Sequence, residues 1–248
     1  MLFKQKVKYI QTLGQKKFRQ EEGVFIAEGP KLVKELLDTD TSSVKEIFAV
    51  KEWMDDNRFD GNAGRNLPII TEITASELQR ISQLTTPNRV LAIVQQYDTG
   101  EIITVKDRIT LALYNLQDPG NLGTIIRIAD WFGIEQVVCS PDSADLYNPK
   151  VVQATMGSIA RIKVHYRELE EWLAVQENVP VYAASLAGED ITAIKKIKEG
   201  ILIIGNESKG ISPALAALAN FHITIPQKGK AESLNAAVAT GIILSHIS

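Results

Sequence analysis

Three segments of the 248-residue chain carry side chains suited to binding charge or a hydroxyl, and each follows an apolar run. The first is Asn115-Leu116-Gln117-Asp118-Pro119-Gly120-Asn121-Leu122-Gly123, leading into a helical run with Thr124 and Arg127. A polar loop rich in Gly and Asn leaves backbone N–H groups free where the helix begins, a site for phosphate or another anion. Asn121, Thr124 and Arg127 are neighbours across the first turns, which brings Arg127 to the same pocket. The plainer alternative is a capped helix with a surface arginine. The second segment, Ile204-Gly205-Asn206-Glu207-Ser208-Lys209-Gly210-Ile211, gathers a carboxylate, an amide and glycines into one turn, and glycines let a ligand approach the backbone. The third, Ile225-Pro226-Gln227-Lys228-Gly229-Lys230-Ala231-Glu232-Ser233-Leu234-Asn235, runs into a helix. Ser233 reads as its N-cap, which leaves Asn235 inside the first turn against its propensity and so marks it as a functional residue.

Other chemistries lack their residues. No G-x-G-x-x-G occurs, and Ile211 stands where a P-loop needs its lysine after Gly210. His165, His222 and His246 have no ligand spacing, so no metal site is expected. The single Cys139, in Val137-Val138-Cys139, reads as a buried inert thiol. No apolar stretch approaches the roughly 20 residues that span a bilayer, and the start lacks a signal-peptide core. These features predict a cytoplasmic protein. Net charge is −3, but residues 1–34 hold eight basic side chains against three acidic ones. Lys16, Lys17 and Arg19 sit in that cluster, which suits a phosphate backbone or, more plainly, a solvated helix face.

The elements that must position these residues fall into two sets. Residues 4–20 predict one basic helix. Strands are expected at 24–27, 44–50, 69–70 and 90–96, with helices at 31–37, 52–56 and 75–82 between them and a loop at 60–64. After a linker at 97–100, strands are expected at 110–114, 136–139, 162–165, 181–184, 201–204 and 222–225. Helices are expected at 121–132, 149–155, 168–176, 213–219 and 233–245. Continuously apolar runs such as Ile201-Leu202-Ile203-Ile204 suit a parallel sheet covered on both faces, giving an α/β fold class.

Asn115…Asp118-Pro119…Asn121…Gly123…Arg127-Ile128-Ala129, then Gly205-Asn206-Glu207…Gly210, then Ile225-Pro226…Ser233-Leu234-Asn235…Val238-Ala239 occur in that order. Together they resemble the three motifs of the SpoU-type branch of the SPOUT RNA methyltransferases. Lys16-Lys17-Phe18-Arg19…Glu28-Gly29-Pro30 and Pro87-Asn88-Arg89-Val90 resemble the ends of the substrate-binding domain that often precedes such an enzyme. The chain departs from the family at Gln153, where members often carry arginine. The resemblance implies a small α/β RNA-binding domain over 1–98 and a mostly parallel α/β methyltransferase domain over 106–248, tied in a trefoil knot.

The resemblance also implies methyl transfer from S-adenosylmethionine to a ribose 2′-hydroxyl, of ribosomal RNA before transfer RNA. A non-catalytic RNA-binding protein on the same scaffold is the alternative, and a nucleotide-dependent oxidoreductase a more distant one. By resemblance, Arg127 holds the hydroxyl, Asn121 and Glu207 orient Arg127 and the ribose, and Ser233 and Asn235 complete the pocket. Ser185, Leu186, Ile204, Gly205, Asn206, Gly210, Ile225, Gln227 and Leu234 cradle the cofactor. Lys16, Lys17 and Arg19 contact RNA. A homodimer is implied as well. The last helix agrees with it, being apolar around much of its surface, with Ala236, Ala237, Val238, Ile242, Ile243 and Leu244.

Overall fold

The computed structural model describes residues 2–57 and 68–248, so the loop expected at 60–64 lies outside the described residues. In chain order the helices and strands are α1 (Lys4–Thr12), α2 (Lys16–Glu22), β1 (Val24–Glu28), α3 (Pro30–Asp40), β2 (Val44–Ala49), α4 (Lys51–Asp56), β3 (Ile69–Glu72), α5 (Ala75–Ile81) and β4 (Val90–Gln95). The second half continues with β5 (Ile109–Leu113), α6 (Pro119–Trp131), β6 (Gln136–Cys139), α7 (Pro149–Thr155), β7 (Lys163–Tyr166), α8 (Leu169–Ala174), β8 (Val181–Asp190), β9 (Gly200–Ile204), α9 (Pro213–Ala217), β10 (Phe221–Thr224) and α10 (Ala236–Ile247).

The chain divides into two compact units, Met1–Asp98 with Tyr147–Ala160, and Thr99–Leu146 with Arg161–Ser248. The first unit holds a mixed sheet in the order β1-β4-β2-β3. It also takes in a piece of the second half of the chain. Helix α7 packs on β1 with Val151 and Val152 buried, and the Tyr147 ring stacks on Phe25 at 5.0 Å. A domain boundary read along the sequence therefore misses residues 147–160, because the apolar face that covers β1 is supplied from far down the chain.

The basic run at 4–20 is two helices. Gly14 and Gln15 leave the helical path, and the chain turns through Gly14 N–H to Gln11 O and Gln15 N–H to Thr12 O. Arg19 closes that turn. Its Nη1 donates to the carbonyls of Leu13 at 3.0 Å and Gly14 at 2.8 Å, and the residue is only 2% exposed. The expectation that Arg19 contacts RNA is corrected. A guanidinium spent on two main-chain carbonyls inside the unit cannot also meet a phosphate. Lys16 and Lys17 are exposed.

The second unit holds a six-stranded sheet in the order β10-β8-β9-β5-β6-β7, parallel throughout. Its central strands β9, β5 and β6 are buried along most of their length, as their apolar runs require. The chain winds from β5 outward through β6 and β7, then returns to build β8, β9 and β10 on the other side. The strand order thus reverses between β5 and β9, where an open parallel sheet forms a crevice at its carboxyl ends. No described helix is long and apolar enough to cross a membrane.

Arg19→Ala should destabilise the first unit by about 2–3 kcal/mol, the scale of hydrogen bonds to a charged donor. Replacing Lys16 and Lys17 with alanine should change stability by no more than about 0.5 kcal/mol, as for other surface changes. Urea denaturation of both variants checks the contrast. Equal stability in the two would contradict the structural role of Arg19.

Candidate active site

The three chemistry-bearing segments converge at that crevice. The loop after β5 is set by two hydroxyls from the loop after β6. Ser140 Oγ accepts the Asn115 N–H at 2.8 Å and Ser143 Oγ accepts the Leu116 N–H at 3.1 Å. Asn115 adopts a positive φ of 51°. Its carbonyl accepts from Asn206 Nδ2 at 2.8 Å, which joins the β5 and β9 loops. Sequence reasoning missed Ser140 and Ser143. The signal was a Ser-Pro-Asp-Ser stretch at the carboxyl end of a buried strand.

The turn after β9 is closed on itself. Asn206 and Gly210 exchange both main-chain hydrogen bonds, at 3.0 and 2.9 Å, and Asn206 Oδ1 accepts from Ser208 N and Lys209 N. A β-carbon at Gly205 would stand 2.6 Å from the Gly210 carbonyl carbon, so only glycine lets the turn close.

Asp118 caps α6 by accepting from Asn121 N at 2.8 Å, with Pro119 at the first helical position, where no N–H is needed. This fixes Asn121 at the helix entrance. Asn121 Nδ2 donates to Glu207 Oε1. Asn235 Nδ2 donates to Asn121 Oδ1 at 2.8 Å and to Glu207 Oε1 at 3.3 Å, and the Ala236 N–H reaches the same oxygen at 3.4 Å. One carboxylate oxygen therefore gathers α6, the β9 turn and the start of α10.

The N-cap of α10 is Asn235, whose Oδ1 accepts from Ala237 N at 3.0 Å and Val238 N at 3.2 Å. The reading of Ser233 as N-cap is corrected, because the helix starts two residues later. Asn235 thus obeys a local rule instead of breaking one. Its side chain does both tasks, capping with oxygen and donating with nitrogen.

A cavity of about 720 Å³ lies beside this cluster, within the usual range for small-molecule sites. Ser185, Leu186, Ile204, Gly205, Asn206, Gly210, Ile225, Gln227 and Leu234 all line it, together with Glu207 and Ser233. One wall is a strand interruption. On β8, Ala183 pairs with His222 of β10 and Glu189 with Ile223, so residues 184–188 swing out of the ladder. Ser185 Oγ pins that excursion, accepting from Ala187 N and donating to Ala187 O. Gly188 lies so close to the His222 carbonyl that a β-carbon would stand 2.5 Å from its oxygen. The sequence reading ended this strand at Ala184, before the part that builds the wall.

Arg127 is the exception to the convergence. It is exposed, does not line the cavity, and makes no hydrogen bond or ion pair among the described residues. Asn121 and Glu207 are engaged with each other and with Asn235, not with Arg127, which corrects the expectation that they orient it. Among the described residues, no group of three His, Cys, Asp or Glu is placed to hold a metal ion. His165 is buried, and burial first, then the charges of Arg167 and Lys163, hold its pKa below the usual value, so it stays neutral in the core.

The SpoU rRNA methylase family matches residues 108–245, and the MRM3-like substrate binding domain matches residues 4–92. The chain is 32% identical to the 23S rRNA (guanosine(2553)-2′-O)-methyltransferase RlmP of Bacillus subtilis, over 98% of this chain and 96% of that protein. It is 31% identical to a 23S rRNA (uridine(2479)-2′-O)-methyltransferase of Streptomyces viridochromogenes, over 64% of this chain and 59% of that one. Among solved structures, the AdoMet-bound rRNA methyltransferase of Sinorhizobium meliloti superposes with a TM-score of 0.83 at 34% identity, covering 99% of this chain and 95% of that one.

Asn235→Ala removes both the cap and the donor, and should lower stability by about 1 kcal/mol from the cap alone. Asn235→Ser keeps a capping oxygen and should recover most of that loss. It leaves Glu207 one donor short, so site activity should stay low. Denaturation curves beside activity assays check this, and activity that simply tracks stability would refute the second task.

Proposed function

The chain belongs to the SpoU rRNA methylase family, and we propose that it transfers a methyl group from S-adenosylmethionine to a ribose 2′-hydroxyl of RNA, ribosomal RNA before transfer RNA. The observation that carries this reading is one cavity lined from three separate stretches, within 184–187, 204–211 and 223–234, with Glu207 both lining it and tied to Asn121 and Asn235. The names of the two curated relatives support ribosomal RNA as the substrate class.

The cavity fits the cofactor. It joins apolar walls from Leu186, Ile204, Ile225 and Leu234 to exposed main chain in the Gly205–Gly210 turn, which suits a purine and its ribose. When bound, S-adenosylmethionine supplies a methyl group on a positively charged sulfur. The side chains of this chain then orient the acceptor. Both amide hydrogens of Asn235 are spent on Asn121 and Glu207, so Asn235 is a positioning residue. Glu207 Oε2 carries no hydrogen bond among the described residues and is the acceptor available to a ribose hydroxyl. Arg127, unpaired, acts by holding and polarising the 2′-hydroxyl or a neighbouring phosphate, since a guanidinium donates hydrogen bonds and accepts none. Orientation of this kind can supply about 7–11 kcal/mol of a barrier.

Exposed apolar side chains support a homodimer. Helices α6 and α10 pack together. They leave Trp131 85%, Val238 50% and Ile242 37% exposed on their outer faces. Arg127 lies one turn before Trp131, so pairing through this surface would bring a partner subunit to Arg127. The N-terminal unit is proposed to take the RNA, with Lys16 and Lys17 at its surface. The trefoil knot belongs to the same proposal, supported by the three cavity segments. A cytoplasmic setting fits the single Cys139, whose thiol burial pushes up to about 12.

Arg127→Ala should fold and bind S-adenosylmethionine normally while single-turnover methylation falls at least ~100-fold. Arg127→Lys should rescue little, lacking the planar fork. Near-normal turnover in well-folded Arg127→Ala would remove Arg127 from the reaction. Ile242→Glu should give a monomer in sedimentation velocity, and an unchanged mass would place the dimer surface elsewhere.

A further inference from the structure

We propose that the rim of the cavity is a second RNA-binding surface, in which Lys209, Lys228 and Lys230 bind backbone phosphates beside the nucleotide being modified. The proposal rests on the methyltransferase reading above and adds a surface to it. Lys209 stands on the closed turn after β9, and Lys228 and Lys230 stand on the segment that follows β10. Lys209 and Lys228 line the cavity, and Lys230 is two residues farther along the same segment. Neither segment is loose. Asn206 Oδ1 accepts the Lys209 N–H at 3.1 Å. Gln227 Nε2 donates to the carbonyls of Gly229 at 3.0 Å and Ala231 at 2.6 Å, folding residues 227–231 into a compact loop.

All three lysines are exposed, and none makes an ion pair or hydrogen bond through its ammonium among the described residues. Two other cations of the same unit have acidic partners, Arg108 with Glu135 and Arg161 with Asp130, whereas Lys106, Lys163, Lys195, Lys196 and Lys198 make no ion pair among the described residues and lie away from the cavity lining. The unit as a whole is acidic, with twelve basic side chains against sixteen acidic ones. Unpaired positive charge at the cavity mouth therefore runs against the background. Two carboxylates also line the cavity, Glu207, whose Oε1 accepts from Asn121, Asn235 and the Ala236 N–H, and Glu232, so with Lys230 beside them the three lysines outnumber the acids.

The charge of the two substrates decides what the lysines meet. S-adenosylmethionine carries a sulfonium and an ammonium against one carboxylate, a net positive charge that a basic rim repels. RNA phosphate is attracted by the same rim, and lysine binds it as a point charge without reading the base.

The test measures binding of a short single-stranded RNA of mixed sequence to the full-length protein across a salt titration, with S-adenosylhomocysteine affinity and melting temperature in parallel. Replacing all three lysines with alanine should weaken RNA binding at least tenfold. It should also flatten the slope of log affinity against log salt by about 2, since each phosphate neutralised on a single strand adds roughly 0.7 to it. Arginine replacements should keep the slope. S-adenosylhomocysteine should bind within about twofold of wild type, and the melting temperature should hold. An unchanged salt slope overturns the proposal. So does a parallel loss of cofactor affinity, which would assign the lysines to the cofactor carboxylate. Failure of the methyltransferase reading would show separately, as no methyl transfer by the unmutated protein.

Discussion

One carboxylate oxygen, Glu207 Oε1, holds the site together. It accepts from Asn121 at the start of α6, from Asn235 ahead of α10 and from the Ala236 main chain. The starts of the two helices lie more than a hundred residues apart in sequence, and Glu207 comes from a third segment between them. A hydrogen bond to a charged acceptor is worth about 1.5–3 kcal/mol when made and costs more when a buried partner is stranded. The tie therefore acts across levels. It fixes where two helices begin, and it ties α6 to the side of the cavity that Glu207 and the start of α10 line. Removing the charge would loosen all three elements at once.

Much of this was legible in the sequence because the responsible residues break the apolar pattern. Gly205, Asn206, Glu207 and Gly210 follow directly on the buried run 201–204, and the parallel sheet follows from apolar runs of that kind. Other parts were not legible. The N-cap of α10 was placed two residues early because Ser233 has a capping propensity equal to that of Asn235, and the tertiary partners of Asn235 select between them. Residues 184–188 carry no turn signal strong enough to announce that a strand will leave its ladder and rejoin it. Arg19 reads as one more surface cation until Leu13 and Gly14 are seen to need its donors. The covering of β1 by α7 depends on packing between residues more than a hundred positions apart, which local pattern cannot carry.

Charge follows a similar division. The chain is acidic overall, yet exposed cations gather on α1 and α2 in one unit, and stand at Arg127 and beside the cavity in the other. In the second unit Arg108 and Arg161 are paired with carboxylates. A cavity that must admit a cationic cofactor and present it to a polyanion gains from this separation. Its lining joins apolar side chains such as Leu186, Ile204, Ile225 and Leu234 to polar ones, and its two lysines, Lys209 and Lys228, are exposed.

The central claim is that the acceptor is a ribose 2′-hydroxyl, and alkaline hydrolysis tests it directly. Alkali cleaves RNA through the free 2′-hydroxyl, so a methyl group on that oxygen blocks cleavage at its own nucleotide. The purified protein would be incubated with unmodified ribosomal RNA and methyl-labelled S-adenosylmethionine, and the RNA then digested in alkali. The account predicts that the label survives in an alkali-resistant dinucleotide and is lost with Arg127→Ala. Label recovered in alkali-labile mononucleotides, as base methylation would give, would contradict it.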